Sequence, residues 1–271
     1  MIEYIVSCII KSLLLEVNTE PKAGLVCPNS DGSHKDMNYT TFINSIYAIS
    51  PYFMEAAQLA SKWSFLPNNA FDLLREIGLR CDEAMLKVTN GANTHKGAVF
   101  SFLILSASSV FSFNKSGCFN IEKICEVSSV IASKSLDDFN RTSSKGINVC
   151  KENNVLGVRG EAASGFKTAL NIGVPSLKES MCINANYSYV YTLTQLMANT
   201  DDTNVLSRSG VEGLNYLKSE AIKLLNLSGE KLIDEHKKLD KKLIEKNISP
   251  GGCADLLAIS IFLYELENYN G

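Results

Sequence analysis

Between Ala98 and Phe113 the chain carries no charged side chain. A stretch of this kind has to leave water, for lipid or for protein. Its sixteen residues fall short of the roughly 20 needed to cross a bilayer, and five of them are serines. The sequence therefore predicts a helix buried inside a protein body, with the rest of the chain as the frame around it.

Helical spacing dominates that frame, and no run of alternating apolar and polar residues is long enough for a sheet. The predicted fold is all-α: a single compact multi-helix domain over residues 1–271, with a central buried helix and a polar cleft. Predicted helices span 2–18, 36–62, 70–88, 95–112, 120–138, 176–198, 207–226, 229–245 and 253–268, with Asn68 and Ser228 as candidate N-caps. The long connections are 19–35 and 139–175, each rich in glycine. Loops of that length in a compact domain are functional or disordered, and these two hold several polar motifs. The charged stretch Glu230–Lys246 reads as a solvated helix face with His236 exposed on it.

Composition narrows the function. With 45% hydrophobic residues in 271 and 20% charged, there is ample apolar material for one core. A net charge of −3 offers no overall basic field for nucleic acid. The eight cysteines are scattered, with no Cys-x-x-Cys pair, which suits reduced thiols in the cytoplasm better than zinc or disulfides. The apolar stripe Ile2, Ile5, Val6, Ile9, Ile10, Leu13 and Leu14 is interrupted by Lys11 and followed by no small-residue cleavage site. It reads as an amphipathic helix rather than a leader, and no membrane partner is expected.

Polar residues gather in five places. Two contain nearly the same tripeptide, Ser33-His34-Lys35 and Thr94-His95-Lys96. A hydroxyl, an imidazole, an ammonium and free amides near a helix start are suited to holding polyphosphate. A capped helix start is the plainer alternative at both. Arg159-Gly-Glu161 pairs a permanent cation, suited to bidentate phosphate binding, with a carboxylate; an internal ion pair is its alternative. Asp201, Asp202, Thr203 and Asn204, with Ser207 and Arg208 beyond, form a hard-oxygen environment suited to magnesium. A helix end, a turn and a new cap would look the same. Ser249-Pro-Gly-Gly-Cys-Ala-Asp255 allows backbone to approach a ligand closely, or is ordinary punctuation between helices. No Walker A, Gly-x-Ser-x-Gly or His-Glu-x-x-His sequence occurs, which argues against common NTPases, α/β-hydrolases and zinc proteases.

Taken in order, these segments resemble the triphosphoribosyl-dephospho-coenzyme A synthase family, which serves citrate lyase and malonate decarboxylase. The residues that carry the likeness are Lys22-Ala-Gly-Leu-Val26 with Gly32-Ser-His-Lys-Asp36, Asn93-Thr-His-Lys-Gly97, Arg159-Gly-Glu-Ala162, Asp202-Thr-Asn204 with Ser207-Arg208, and Ser249 through Leu257. Ala23, Ser209 and Cys253 stand where proline, glycine and serine are common, and leave the charged positions unchanged.

The resemblance implies an all-α transferase with ATP and 3′-dephospho-CoA as substrates. Adenine leaves C1′ of the ATP ribose and the 2′-hydroxyl of dephospho-CoA takes its place, with the triphosphate retained. A prosthetic-group transferase would then pass the product to the lyase acyl carrier protein. On this likeness Lys35, Lys96, Arg159 and Arg208 are expected to hold phosphates, with His34, His95, Asn93 and Asn204 hydrogen-bonding substrate. Asp36, Glu161, Asp202 and Asp255 are the candidate catalytic carboxylates, of which Asp36, Asp202 and Asp255 are also candidate magnesium ligands. A magnesium-dependent N-glycosidic hydrolase and a non-catalytic nucleotide-binding regulator remain as alternatives. All three require these distant side chains to meet in one crevice.

Overall fold

The computed structural model describes residues 1–141 and 145–269. Its helices are α1 (Ile2–Asn18), α2 (Tyr39–Ala60), α3 (Ala70–Val88), α4 (Lys96–Ser116) and α5 (Ile121–Ala132). A 3₁₀ turn (Ser133–Asp137) leads into the short α6 (Asp138–Arg141), α7 (Lys145–Asn153) and α8 (Gly157–Ala163). A π-helical turn (Ala169–Gly173) precedes α9 (Val174–Ser180), α10 (Ala185–Asn199), α11 (Thr203–Leu224), α12 (Glu230–Glu245) and α13 (Gly251–Glu267). No strand occurs among the described residues.

The uncharged run lies inside α4, which at 21 residues is longer than the run itself and long enough to span a bilayer. Burial within the protein is what it has instead: 72% of its most apolar window is enclosed. A second central helix, α13, accompanies it, buried on nearly every side from Cys253 to Leu266. Phe102 of α4 is the hinge of their packing, with edge-to-face contacts to Phe53 of α2 (6.0 Å) and Phe262 of α13 (5.7 Å). Such pairs add about 0.5–1.5 kcal/mol to the area they bury. The amphipathic α1, α2 and α3 pack around this pair. In α2, Pro51 and Tyr47 both face outward, so the helical bond that proline cannot make is lost where water can replace it.

Several sequence expectations need correction. The loop expected over 139–175 contains α6, α7, α8 and the π-helical turn, with 142–144 outside the described residues. The helix expected over 176–198 is two helices, interrupted before Asn184, whose side chain accepts from Tyr187 N (2.8 Å) and restarts the helix as α10. The cap positions of α3 and α12 are Asn69 and Gly229, one residue beyond Asn68 and Ser228, and neither makes a side-chain cap bond. The segment 19–35 is irregular, as expected, and the irregular stretch continues through Asn38 where a helix was expected, but it is firmly held. Gly24 N donates to Asp240 Oδ1 (2.8 Å), and Ser33 Oγ donates to the Ile248 carbonyl (2.7 Å).

His236 is buried, not exposed. Its spacing from Leu232, Leu239 and Leu243 places it on the apolar stripe of α12, which outweighs the charged composition around it. Neither ring nitrogen has a hydrogen-bond partner, and burial pushes its pKa down from 6.5 to about 4. The unfolded ring gains its proton near 6.5, the native one only near 4. As pH falls through that window the unfolded state binds more protons, so stability declines, by on the order of 3 kcal/mol at the lower end. His236→Leu is therefore expected to lose less melting temperature than the parent between pH 7.5 and pH 5. Parallel losses in a thermal scan would contradict this.

Candidate active site

Three helices begin at one place. α4 starts at Lys96 and Gly97, α11 at Thr203 and Asn204, and α13 at Gly251 and Gly252. These first-turn residues line the boundary between two cavities. Free N–H groups and the positive ends of three helix dipoles therefore face one small volume.

Asp202 fastens two of these ends together. Its Oδ1 accepts from Asn204 N (2.8 Å) and Val205 N (3.2 Å), capping α11, while Oδ2 accepts from Cys253 N (2.9 Å) in the first turn of α13. It is 1% exposed, and burial raises its pKa against the pull of those amides. The third end is set by Gly97, where a Cβ would overlap Asp255 Oδ2.

The larger cavity, about 1030 Å³, is bounded by α3, α4, α8 and the first turns of α11 and α13. That is at the upper end of the usual range for ligand clefts. Lys96, Arg159, Glu161, Asp202, Asn204 and Asp255 line it. The smaller cavity, about 110 Å³, is lined by His34, Asn93, His95, Lys96, Asn204, Arg208 and Asp255, with Glu16 and Lys22 behind them. Lys96, Gly97, Asn204 and Asp255 belong to both.

Of the expected site residues, Lys35 and Asp36 fall outside both cavities. Each is exposed, and Asp36 lines a separate surface depression with Asn38 and Asn90. The reason is local: α2 begins only at Tyr39, capped by Asn38, so the Ser33–Asp36 segment is not at its N-terminus. Only His34 turns inward, with Nε2 2.8 Å from Ser249 Oγ. Its Nδ1 is buried without a hydrogen bond, and burial, reinforced by Arg208, lowers its pKa.

The carboxylates differ sharply in what they already hold. Glu161 Oε1 accepts from Thr168 N (2.8 Å) and Oε2 from Thr168 Oγ1 (2.9 Å). Both oxygens of Asp202 are bonded to backbone. Asp255 has no hydrogen bond or ion pair among the described residues. Burial, then repulsion from Glu16 and Asp202, raises its pKa well above the usual carboxylate range, with Lys22 opposing. Its proton is therefore held more tightly than that of an ordinary aspartate.

The cations are also partly engaged. Lys96 Nζ lies 3.2 Å from Asp82 Oδ2 with its side chain 64% exposed. Arg159 donates through Nε to Asp138 Oδ2 (3.3 Å). Arg208 donates to the Ser33 carbonyl and to Asn247 Oδ1 (2.6 Å). Asn93 caps α4 by accepting from Lys96 N (3.2 Å).

His95 is 3% exposed, and burial, with Lys22 nearby, lowers its pKa to about 3. Ser45 Oγ lies 2.7 Å from its Nδ1, and Thr94 Oγ1 donates to Ser45 Oγ (2.7 Å). With Thr94 supplying that hydrogen, Ser45 gives its own to Nδ1. The neutral ring then carries its proton on Nε2, which has no partner. Sequence reasoning missed this relay, since Ser45 is fifty residues from His95, and missed the buried pair Lys22 Nζ–Glu16 Oε1 (2.5 Å). Nothing in the spacing of either pair marks it.

The three carboxylates expected to bind magnesium do not assemble into a ligand set. Asp36 lies outside, and both oxygens of Asp202 already accept backbone bonds. No group of three or more His, Cys, Asp or Glu side chains among the described residues is placed to hold a metal.

The molecule is an all-helical body in which two adjoining cavities share Lys96, Gly97, Asn204 and Asp255. The chain belongs to the CitG family, ATP:dephospho-CoA triphosphoribosyl transferase, whose model matches residues 2–271. It is similar to the 2-(5″-triphosphoribosyl)-3′-dephosphocoenzyme-A synthase of Pectobacterium atrosepticum, with 35% identity over 93% of this chain and 86% of that one. A protein of the same name from Escherichia fergusonii is also 35% identical, over 93% of this chain and 88% of its own. A crystal structure from Archaeoglobus fulgidus, described as a triphosphoribosyl-dephospho-CoA synthase, shares the fold. Its TM-score is 0.55 at 20% identity, over 84% of this chain and 100% of that one.

The Gly97–Asp255 approach can be tested without any substrate. Gly97→Ala is expected to destabilise the protein by about 1–3 kcal/mol, the usual cost of overpacking. Asp255→Ala removes the overlapping oxygen and should recover most of that loss in the double variant. Additive effects in a denaturation cycle would show that the two residues are not coupled.

Proposed function

We propose that this chain transfers the triphosphoribosyl group of ATP to the 2′-hydroxyl of 3′-dephospho-CoA and releases adenine. The observation that carries this reading is Asp255: a carboxyl with no hydrogen-bond partner among the described residues, its pKa raised by burial, at the joint of two cavities where three helices begin.

In this reading the C1′–N9 bond of ATP breaks with its electron pair on adenine, and Asp255 gives adenine a proton. Positive charge grows on the ribose, as in glycoside cleavage, beside the carboxylate so formed. The 2′-hydroxyl oxygen then bonds to C1′, and its proton returns Asp255 to the neutral acid. No proton is gained or lost overall. One group serves as acid and then base, which a raised pKa favours.

The triphosphate is retained, so the protein's task is to hold it still. The helix N-termini, Lys96 and Arg208 supply positive potential, while neutral His34 and His95 offer directional hydrogen bonds. Asn93 and Asn204 add polar contacts at the rim. Glu161 and Asp202 act as positioning residues, since their oxygens already organise backbone. Magnesium, when supplied with ATP, would be held by the phosphate oxygens and would neutralise part of their charge. The product serves a cytoplasmic lyase through its acyl carrier protein, citrate lyase or malonate decarboxylase in this family.

Incubation with ATP, magnesium and dephospho-CoA is expected to yield adenine and a heavier coenzyme A derivative. Adenine formed equally without the acceptor would overturn transfer in favour of hydrolysis. Asp255→Asn should lower turnover by about 10²–10⁴-fold and also raise the melting temperature at neutral pH. The sign follows from linkage. Unfolded aspartate ionises near 4 whereas burial raises the pKa of the native carboxyl, so between the two unfolding releases a proton and the carboxyl weakens the fold there. The gain in Asp255→Asn should vanish below pH 4. Full activity in Asp255→Asn would remove the assignment.

A further inference from the structure

The far wall of the large cavity contains a built arrangement that the reaction as described leaves unused. Asp138, on α6, receives two guanidinium groups: Arg75 Nη2 at its Oδ1 (2.5 Å) and Arg159 Nε at its Oδ2 (3.3 Å). Each guanidinium also lies over an aromatic ring, Arg75 over Phe71 (4.7 Å) and Arg159 over Phe100 (5.8 Å). The two rings meet edge to face at 6.2 Å. Carboxylate and rings fix both planes in place, and each bond to Asp138 uses one N–H of the five on its guanidinium. Further N–H groups are left for an anion, in the forked geometry that suits phosphate.

Its position is as informative as its charge. Asp82, paired with Lys96 at the cavity joint, and Arg75 both lie on α3, seven residues apart. Along a helix that is about 10 Å, comparable to the span from a nucleotide's 2′-hydroxyl to its 5′-diphosphate. The cavity edge carries Leu79, between Arg75 and Asp82 on α3, and Leu156, three residues before Arg159, both more than half exposed. Exposed leucines on the rim of a ligand cleft suit an uncharged, partly apolar chain. The small cavity, by contrast, has basic walls and a tenth of the volume.

We infer that the large cavity is the acceptor's site, in which Arg75 and Arg159, held by Asp138, bind the diphosphate of 3′-dephospho-CoA while its pantetheine arm runs over Leu156. This rests on the transfer reaction proposed above. The ATP triphosphate then occupies the helix N-termini and the small cavity, and the two riboses meet at Asp255. Arg159 serves the acceptor rather than the triphosphate.

The two substrates can be titrated separately by calorimetry, so binding is read without turnover. Arg75→Gln and Arg159→Gln are each expected to weaken dephospho-CoA by about tenfold or more, the value of a charge-assisted hydrogen bond. ATP affinity should remain within about twofold. Weakened ATP with dephospho-CoA unchanged would overturn the assignment, as would no change in either. Leu156→Ser, at an exposed position that folding tolerates, should weaken dephospho-CoA but not ADP, which has the diphosphate without the arm. Equal effects on both ligands would refute the path of the arm. Adenine release by the unaltered protein tests the reaction on its own. If that release fails while the calorimetric pattern holds, the activity is wrong and the acceptor site stands.

Discussion

The cleft depends on a single bonding pattern, the three backbone N–H groups that Asp202 receives from α11 and α13. Without it, two helix ends directed at the same space would repel through their dipoles and leave amides unpaired in a buried region. The Asp202 carboxylate supplies negative charge where both dipoles are positive. The third helix, α4, is brought alongside by the absence of a side chain at Gly97. What results is a set of three helix ends held in register by backbone contacts, with no flexible side chain needed to place them. A triphosphate held by such groups loses little to reorganisation.

That arrangement explains why two aspartates close in space behave differently. Asp202 is buried and fully hydrogen-bonded, and its role is to keep the helix ends in register. Asp255 sits one turn into α13 with no donor directed at it, and both Glu16 and Asp202 oppose its ionisation. Pairs of acids with diverging environments are a recurrent way to obtain a proton donor at neutral pH. The buried Lys22–Glu16 pair behind them limits how far the potential departs from neutrality, since Lys22 offsets part of that repulsion. The cost is stability. A carboxyl without a hydrogen-bond partner, two histidines with lowered pKa and a buried ion pair all lie in one region, each less favourable than an apolar side chain of the same size.

The sequence was legible where periodicity or local chemistry decides structure. The bounds of α1 and α3 agree with their spacing, and the uncharged run led directly to the central helix. It was less legible where a tertiary contact decides. The spacing over 139–175 is broken by glycines, and its helices are short pieces held by neighbours such as α5 and α11. His236 looked solvated because its neighbours in sequence are charged, although its neighbours along the helix face are leucines. The polar segments were visible as segments, but not which atoms within them were free. Glu161 and Asp255 read alike in sequence, and only the Thr168 bonds to Glu161 separate them. Arg75 escaped notice because a lone arginine in an amphipathic helix has no pattern; its meaning comes from Asp138 and Arg159.

The kink in α11 connects the two parts of the cleft. Gly210 has φ +65° and ψ −167°, a conformation that other residues reach only with strain. It follows Arg208 by two residues and lets the helix change direction after the first two turns. Those first turns carry Asn204 and Arg208 to the small cavity, while the later part, with Leu214, Leu217 and Ala221, returns to the core. A straight helix would have to choose between these duties, because its apolar stripe and its cavity-facing residues would drift apart by the fixed angle per residue. The same break places Ser209 Oγ 3.0 Å from the Asn247 carbonyl, next to the Asn247 side chain that Arg208 holds. Ser209 stands where the family commonly has glycine, and here its hydroxyl ties the kink to the end of α12. The small cavity is therefore bounded by an element that bends at a defined point and is pinned just before the bend.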